Sequence, residues 1–390
     1  MNWETVRVQD IAEVFDGPHA TPPKSDDGPI YLGIPSILPD GGIDYENSKR
    51  ISYADFPKWT KRVTPRKDDV VFSYEANLES YAIIPEGFEG CLGRRMALMR
   101  PDTTKVNPRF LFYYMSSPQW RGVIAERTVL GATVNRIPIA TFPQFPIELP
   151  PLGIQERISS ILMAYDNLIE NNRRQIALLE EAADLTYENW LDACDRSSFD
   201  TGTMSDFFDV TIGKTPPRAQ TECFAAEGVP WASVKDLGNT AGPFISSTSE
   251  CLTDEAIGNY KVKVKPAGTI LLSFKLTIGR VAIAKQPTAT NEAIAHFVTD
   301  SDAMRLYTYE YLRSFDYDTL GSTSSIGKAI NSKIVKAIPF SLPNESNLNQ
   351  LYSQLNPLFC AMRLYQHRAS LLVEARDRLL PKLMSGEIEV

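Results

Sequence analysis

Two stretches of the chain carry apolar residues at alternating steps of three and four over about 40 positions each. The first runs from Ile154 to about Cys194 and the second from Leu348 to Leu383. A stripe this narrow and long predicts the seam of a coiled coil, whereas a single core helix would show a broader and shorter apolar face. The predicted seam and partner-docking positions are Gln155, Ile158, Leu168, Asn172, Leu179, Leu355, Met362, Tyr365, Leu372 and Leu379.

Two residues interrupt these stripes. Asn172 lies on the first seam, where a buried asparagine would set the register of the helix pair and a partly exposed one would be an ordinary polar residue. Pro357 lies within the second pattern and lacks the backbone N–H that an interior helical residue donates. We expect it to kink or delay the second helix, which would then begin near Leu358.

Short runs rich in β-branched and aromatic residues precede each stripe, and such runs predict strands. These regions are copies of one another. Residues 71–84 (VFSYEANLESYAII) align with residues 271–284 (LLSFKLTIGRVAIA), and residues 8–17 align with residues 204–213. The segments PRFLFYYMSS and TYEYLRSF predict short helices within the copies. A repeat of this length predicts two domains of one fold.

The predicted fold is therefore α+β. It has two tandem mixed α/β domains with a pseudo-twofold internal repeat, separated by two long helices that form an antiparallel coiled coil. The predicted segments are residues 1–151 (first domain), 152–195 (first spacer helix), 196–343 (second domain) and 344–390 (second spacer helix and C-terminal tail). Helices of about 60 Å, at 1.5 Å per residue, would act as a ruler between two similar readers.

Composition excludes several classes of protein but does not identify one. No run approaches the eighteen apolar residues of a membrane span, and the N-terminus has no apolar signal segment, so we expect a cytoplasmic protein. The five cysteines include no C-x-x-C pair, which argues against a zinc site or a disulfide framework. A net charge of -8 excludes a surface that is basic throughout, although basic residues cluster within 58–67 and 261–265.

The tripeptide Gly213-Lys214-Thr215 resembles the end of a phosphate-binding loop, but the rest of that motif is missing. Phe208 stands where the first glycine should be, and Pro216-Pro217 occupies the start of the required helix. The aligned stretch of the first copy, FDGPHATPP (15–23), keeps the glycine and has no Gly-Lys-Thr. We predict a glycine turn with an extended exit in each copy rather than a nucleotide site.

One further motif marks the start of the first long helix, and another marks the end of the chain. The first is P-P-L-x-x-Q at residues 150–155, followed by LIENNRRQIALLEEA, and the second is RLLPKLMSGEIEV at residues 378–390. With the tandem organisation, these motifs resemble the specificity subunit of a Type I restriction-modification system, and the resemblance covers the whole chain. It implies a non-catalytic subunit that reads an asymmetric bipartite sequence in double-stranded DNA.

The same resemblance implies partners and cofactors. The long helices would dock two methyltransferase (modification) subunits, and restriction subunits would join the complex. S-adenosylmethionine, ATP and Mg would belong to those partners, so no cofactor is expected here. The sequence agrees, since it has no G-x-G-x-x-G, no complete P-loop and no [DE]-x-K.

Candidate DNA-reading residues follow a predicted strand in each copy. Carboxylates accept hydrogen bonds from cytosine, and lysine or arginine donates to guanine, so a shared loop with different charges would suit two different half-sites. The alternative is that these are turn residues at the end of a strand. The aligned candidates are Ser73, Tyr74, Glu75 and Asn77 in the first copy and Ser273, Phe274, Lys275 and Thr277 in the second.

Other basic or amide residues are further candidates for phosphate or base contacts, although each would more simply be a solvated loop residue. They are Arg94, Arg95, Asn135, Arg136, Lys214, Arg280, Lys328, Asn331 and Lys333. Two other classes of function stay open: a stand-alone P-loop NTPase or nuclease, and a coiled-coil scaffold that binds no nucleic acid. Neither would account for two loop-rich domains that repeat each other.

Overall fold

The computed structural model describes residues 3–38, 40–131, 134–320 and 330–390. The chain divides into two compact units, one formed by Met1–Asn167 with Leu372–Val390 and the other by Leu168–Leu371. Each long helix contributes one part to each unit. The four segment boundaries given by the sequence stay a prediction.

The first unit contains a complete copy of the repeat. Short 3-10 turns lie at Ile34–Ser36 and Phe142–Gln144. The strands and helices are β1 (Glu4–Arg7), α1 (Val8–Ile11), β2 (Ala12–Asp16), β3 (Ser25–Leu32), α2 (Phe56–Trp59), β4 (Val70–Ser73), β5 (Tyr81–Ile83), β6 (Gly90–Leu92), β7 (Met96–Pro101), α3 (Pro108–Met115), α4 (Pro118–Arg127) and β8 (Pro146–Leu149), followed by the long helix α5 (Leu152–Ala193).

The second unit contains the second copy. Its 3-10 turns lie at Arg196–Ser198, Thr221–Cys223 and Tyr317–Thr319. The strands and helices are β9 (Asp200–Thr203), α6 (Met204–Phe207), β10 (Thr211–Ile212), β11 (Phe224–Ala225), β12 (Val229–Ala232), α7 (Val234–Asn239), β13 (Phe244–Ile245), β14 (Cys251–Leu252), α8 (Asp254–Tyr260), β15 (Ile270–Ser273), β16 (Val281–Ala284), β17 (Ala289–Thr290), β18 (Ile294–Phe297), α9 (Asp302–Ser314), α10 (Ser332–Lys336) and β19 (Pro339–Leu342), followed by the long helix α11 (Glu345–Met384).

The main sheets of the two copies share an order of four strands, to which the second copy adds β13. The main sheet of the first has the order β2-β7-β4-β5, and that of the second has the order β10-β18-β15-β16-β13. In addition, β1 pairs with β8 and β9 pairs with β19, both antiparallel, so each copy closes its own beginning onto its own end. The predicted repeat, the strands at 71–84 and 271–284, and the short helices α3 and α9 are confirmed.

The aligned glycines of the two copies are required by close backbone packing. A Cβ atom on Gly17 would lie 2.6 Å from the carbonyl oxygen of Met96, and one on Gly213 would meet the carbonyl oxygens of Thr290 and Asn291. Any side chain would push the turn away from the sheet. The glycine of Gly-Lys-Thr thus serves the fold, and the next helical element after it is only the 3-10 turn at Thr221.

The two long helices pack side by side within each unit. In the first unit, Ile158 and Leu162 of α5 share a buried core with Leu383 and Met384 of α11. In the second unit, the later part of α5, from Ile176 on, shares a core with the earlier part of α11. The pair is therefore antiparallel, as predicted.

The expected effect of Pro357 on the start of α11 is wrong. The helix begins at Glu345, where the Asn344 side chain accepts a hydrogen bond from the Asn347 amide at 2.9 Å. A proline inside a helix costs about 3 kcal/mol. The neighbouring Leu355 and Phe359 are both buried in the core of the second unit, and full burial of two such side chains contributes about 3 to 6 kcal/mol. Packing therefore offsets the lost hydrogen bond.

Candidate nucleic-acid interface

Residues 73–80, here called loop 1, connect β4 to β5. The Ser73 amide donates to the Ser80 carbonyl at 3.0 Å, and the Ser73 hydroxyl donates to the Glu75 carbonyl at 2.8 Å. Tyr74 is buried beneath the loop, and burial raises its pKa above the usual range, so its hydroxyl stays protonated. Ala76 at the tip has a φ of 67°, a left-handed conformation that is unusual for a residue with a side chain.

Residues 273–280, loop 2, connect β15 to β16. The Ser273 amide donates to the Arg280 carbonyl at 2.9 Å, and the Ser273 hydroxyl donates to the Thr277 carbonyl at 2.7 Å. Phe274 is buried as Tyr74 is, and Leu276 has a φ of 66° with its side chain 93% exposed. The two loops thus share the closing amide bond, the buried aromatic residue and the left-handed tip. Their serine hydroxyls bond different positions, and loop 2 has a second positive φ, of 87°, at Gly279.

The charges on the two loops differ in sign. In loop 1, the Glu75 carboxylate lies 2.9 Å from Nε of Arg95, a contact between charges without the alignment of a hydrogen bond. In loop 2, Lys275 is exposed. Glu292 accepts a hydrogen bond from the Thr215 hydroxyl, and that bond, with the positive charge of Lys275, lowers the pKa of Glu292. Loop 1 therefore carries a carboxylate held by a cation, and loop 2 a cation near a carboxylate.

Several other predicted residues of the first copy surround loop 1. The Asn135 carbonyl accepts from the Ala76 amide at 3.2 Å, and Arg136 forms a backbone bridge with Glu75. The Arg94 amide donates to the Tyr31 hydroxyl at 2.7 Å while its side chain is exposed. The structure therefore brings these residues and Arg95 to one place, with Asn77 exposed on the loop itself.

In the second copy, several candidate side chains already use their polar groups in hydrogen bonds within the protein. The Arg280 guanidinium donates to the Val234 carbonyl at 2.7 Å, and the Lys214 ammonium donates to the Tyr260 carbonyl at 2.6 Å. Asn331 caps α10, and Lys333 is exposed on that helix. Lys328 lies outside the described residues. DNA contacts by any of these side chains stay a prediction.

The predicted seam residues divide by burial. Asn172 is buried, and its amide donates to the Leu168 carbonyl of its own helix at 2.7 Å, so within the described chain it bonds along α5 and not across to α11. Gln155 is also fully buried, and its side chain accepts from the Asn107 amide and donates to the Pro150 carbonyl. Of the remaining positions, Ile158, Leu355 and Met362 are buried, Leu179, Tyr365, Leu372 and Leu379 are half-buried, and Leu168 is 41% exposed.

Sequence reasoning missed the turn residues that link each glycine turn to its loop. His19 lies 3.4 Å from the Tyr74 hydroxyl and 2.9 Å from Asp16, and in the second copy Thr215 reaches Glu292. The alignment of residues 15–23 with 211–218 was the available signal, because it placed a polar residue after the glycine in both copies. The pairing itself depends on how strands fold back, which no spacing reveals.

Within the described ranges, no group of three or more His, Cys, Asp or Glu side chains is placed to hold a metal ion. No helix in the part of the chain that the structure covers is long and apolar enough to cross a lipid bilayer.

Comparison with known families agrees with this geometry. The family described as Type I restriction modification DNA specificity domain matches residues 1–181 and 197–359, one match for each copy. The chain belongs to this family. The predicted specificity subunit, its fold class and its non-catalytic, DNA-recognising role are thereby confirmed, and nothing supports a stand-alone NTPase, nuclease or scaffold.

Individual specificity subunits resemble the whole chain or large parts of it. The type I restriction enzyme MjaIX specificity subunit of Methanocaldococcus jannaschii is 24% identical over 425 residues, covering 100% of this chain and 94% of the relative. The EcoR124I/EcoR124II specificity subunit of Escherichia coli is 22% identical over 253 residues, covering 62% and 61%. The crystal structure of a type I S subunit from M. genitalium has a TM-score of 0.51 at 15% identity, covers 98% of this chain and 96% of that one, and supports the fold alone.

Proposed function

We propose that loops 1 and 2 are the sequence-reading elements of this specificity subunit, each directed at one half of a bipartite DNA target. The observation that carries the proposal is a pair of loops with the same closing amide bond and left-handed tip and with opposite charges at one aligned position, half-buried Glu75 in one copy and exposed Lys275 in the other. The position is aligned in the two copies, and the charge of its side chain decides which base edge can be bound there.

The contact between Glu75 and Arg95 supports a more specific assignment within loop 1. Because the Glu75 carboxylate contacts Arg95, this pair presents a guanidinium as well as a carboxylate, and arginine suits bidentate contact with guanine. Lys275 has no carboxylate within ion-pair distance among the described residues. We therefore assign base contacts to Arg95 and Lys275, and we assign the positioning of Arg95 to Glu75.

The test is to map methylated sites in cells that carry the complete system with Lys275→Glu or Arg95→Gln. Each variant should change the base preference in one half-site only, by about 1 to 3 kcal/mol of discrimination per lost contact. Lys285→Glu makes the same charge change as Lys275→Glu on an exposed residue of the same unit outside loop 2 and serves as the control. Equal loss at both half-sites would contradict independent readers.

We also propose that the long helices dock two methyltransferase subunits, with restriction subunits joining the complex in the cytoplasm. S-adenosylmethionine, ATP and Mg²⁺ would be bound by those partners. The support is a set of outward-facing leucines on α5 and α11, seven residues apart on each helix and more than half exposed: Leu178, Leu185, Leu364 and Leu371.

The docking proposal is tested by co-purification with the methyltransferase subunit. A Leu178→Glu/Leu185→Glu variant should lose that partner while its melting temperature stays near the wild-type value, because both side chains already face solvent. Glu181→Gln, an exposed position between them, is the control. Full retention of both methyltransferase subunits would rule out this face of α5.

A further inference from the structure

A positively charged cleft lies beside loop 1 in the first unit. Its volume is about 400 Å³, and it lies between residues 16–20, here called glycine turn 1, and residues 58–63, with Leu92 at its base. Lys58, Lys61 and Arg62 are exposed along one wall. Three cations and one carboxylate, Asp16, give this small region a net charge of +2 in a chain whose overall charge is -8.

The carboxylate in the cleft is already engaged. Asp16 lies 2.9 Å from Nε2 of His19 and 3.8 Å from the Arg62 guanidinium, and Arg62 also donates to the Gly17 carbonyl at 3.3 Å. Lys61 has no ion-pair partner among the residues that the structure describes, and Lys58 contacts only the ring of Trp59, at 6.0 Å. The lysine charges therefore face solvent, available to an anion.

The side chain of His19 connects the cleft to loop 1, the proposed reading loop. His19 lines the cleft and also lies 3.4 Å from the hydroxyl of Tyr74, the residue buried beneath loop 1. Trp59 packs edge-on against Tyr31, whose hydroxyl accepts from the Arg94 amide. An anion bound in the cleft would therefore lie beside any DNA segment that contacts loop 1 and Arg94.

The second copy also has exposed lysines at the corresponding place in the chain. Lys61 aligns with Lys261 at the register that aligns the two loops, and Lys261 and Lys263 are also exposed. There too the glycine turn lies close to the basic segment, because Lys214 donates to the carbonyl of Tyr260, the residue that precedes Lys261. The loops differ in charge between the copies, whereas the basic segments keep the same sign.

We propose that residues 58–62 with glycine turn 1 form a clamp for the phosphodiester backbone of duplex DNA, that residues 261–265 are its counterpart, and that both clamps are indifferent to sequence. Lysine is a flexible point charge that suits phosphates, and phosphate contacts set position and affinity without carrying sequence information. This proposal rests on the proposed function, since it divides each copy into a common holding surface and an individual reading loop.

The test measures DNA binding by the assembled methyltransferase complex as a function of salt. The probes are a duplex carrying the methylated sequence mapped in the source genome and a scrambled duplex of equal length. The clamp variant is Lys58→Gln/Lys61→Gln/Arg62→Gln. The control is Lys49→Gln/Arg66→Gln/Lys67→Gln, which removes three exposed charges from the same copy outside the cleft.

The clamp variant should lower the slope of log K against log salt by about 2 to 3, at about 0.9 per phosphate contact, and weaken binding to both duplexes about tenfold or more. The ratio between the two duplexes should stay unchanged. Because Arg62 also holds Gly17, a Lys58→Gln/Lys61→Gln variant that keeps this bond is measured in parallel and should lower the slope by about 2.

Failure of the clamp proposal can be distinguished from failure of the proposed function. If the wild-type complex does not discriminate between the duplexes, the proposed function fails. If it does discriminate but both clamp variants keep the wild-type slope, or lose discrimination while the slope is unchanged, the clamp is wrong and the reading loops stand.

Discussion

The two units use one scaffold and attach it to the long helices in different ways. In the first, the Asp166 carboxylate on α5 accepts from the Tyr113 hydroxyl and from the Arg376 guanidinium, so one acid meets two donors. In the second, Arg313 lies between two acids of α5, at 3.2 Å from Glu180 and 2.9 Å from Asp184, and a third carboxyl group, Glu310, is buried beside them.

The difference shows which positions the fold holds fixed. The order of the four main strands, the pairing of the first strand with the last and the glycine turns are the same in both copies because each is set by main-chain contacts. Side chains that meet the helices or the solvent have no such constraint, and they differ in charge and number. The comparison can be tested at three positions where the copies diverge or agree.

The largest effect is expected at the start of α5. Gln155 bonds the Asn107 amide, the Lys105 carbonyl and the Pro150 carbonyl, whereas the aligned residue of the second copy is Leu348. Gln155→Leu would leave these buried groups unpaired and lower the free energy of unfolding of the first unit by about 2 to 4 kcal/mol.

Chemical denaturation followed by hydrogen exchange in α3, which Asn107 caps, measures this loss. Leu348→Ala, which removes only a half-buried apolar contact, is the matched change in the second copy and should cost about 1 kcal/mol. If both substitutions cost the same, Gln155 is not a special anchor.

The next effect depends on pH and belongs to the second unit. Burial, reinforced by the charges of Asp184 and Glu180, raises the pKa of Glu310 from 4.5 to about 9. The folded protein then holds a proton that the unfolded chain releases above about pH 4.5. Stability is complete below that pH and falls as the pH rises toward 9, by at most about 1.4 kcal/mol per unit.

The melting temperature of the second unit should therefore fall between pH 6 and pH 8 in the wild-type protein, and Glu310→Gln should flatten this slope. Glu188→Gln, which removes an exposed carboxylate from the same unit, should leave the slope as it is. A slope that persists in Glu310→Gln would mean that another group carries it.

The smallest effect tests what the copies share. Ala76 and Leu276 both hold left-handed conformations and are exposed, so replacing either with glycine relieves backbone strain without removing buried surface. Each variant should be neutral or more stable by up to about 1 kcal/mol, and equally so in both copies. Thr277→Gly, next to Leu276 but with no positive φ, should instead destabilise by about 0.4 to 1 kcal/mol in thermal melts. Unequal effects at Ala76 and Leu276 would show that the loops differ in strain.

The sequence was sufficient to predict those parts of the fold that produce a periodic or repeated pattern of residues. The helix stripes, the strands around the loops and the second copy all follow from spacing. The long-range contacts could not be predicted from spacing. Glu75 contacts Arg95, and Gln155 bonds Asn107, only once the chain has folded. The prediction for Pro357 was wrong for a related reason. The free-energy cost of a proline in a helix can be predicted from the sequence, but the burial of Leu355 and Phe359, which offsets that cost, depends on tertiary packing.

The pairing of β1 with β8 and of β9 with β19 has a consequence for how such a chain can change. Each copy enters and leaves through neighbouring strands, about 4.8 Å apart, immediately before a long helix. A whole copy can therefore be exchanged as a cassette without moving the helix that follows it.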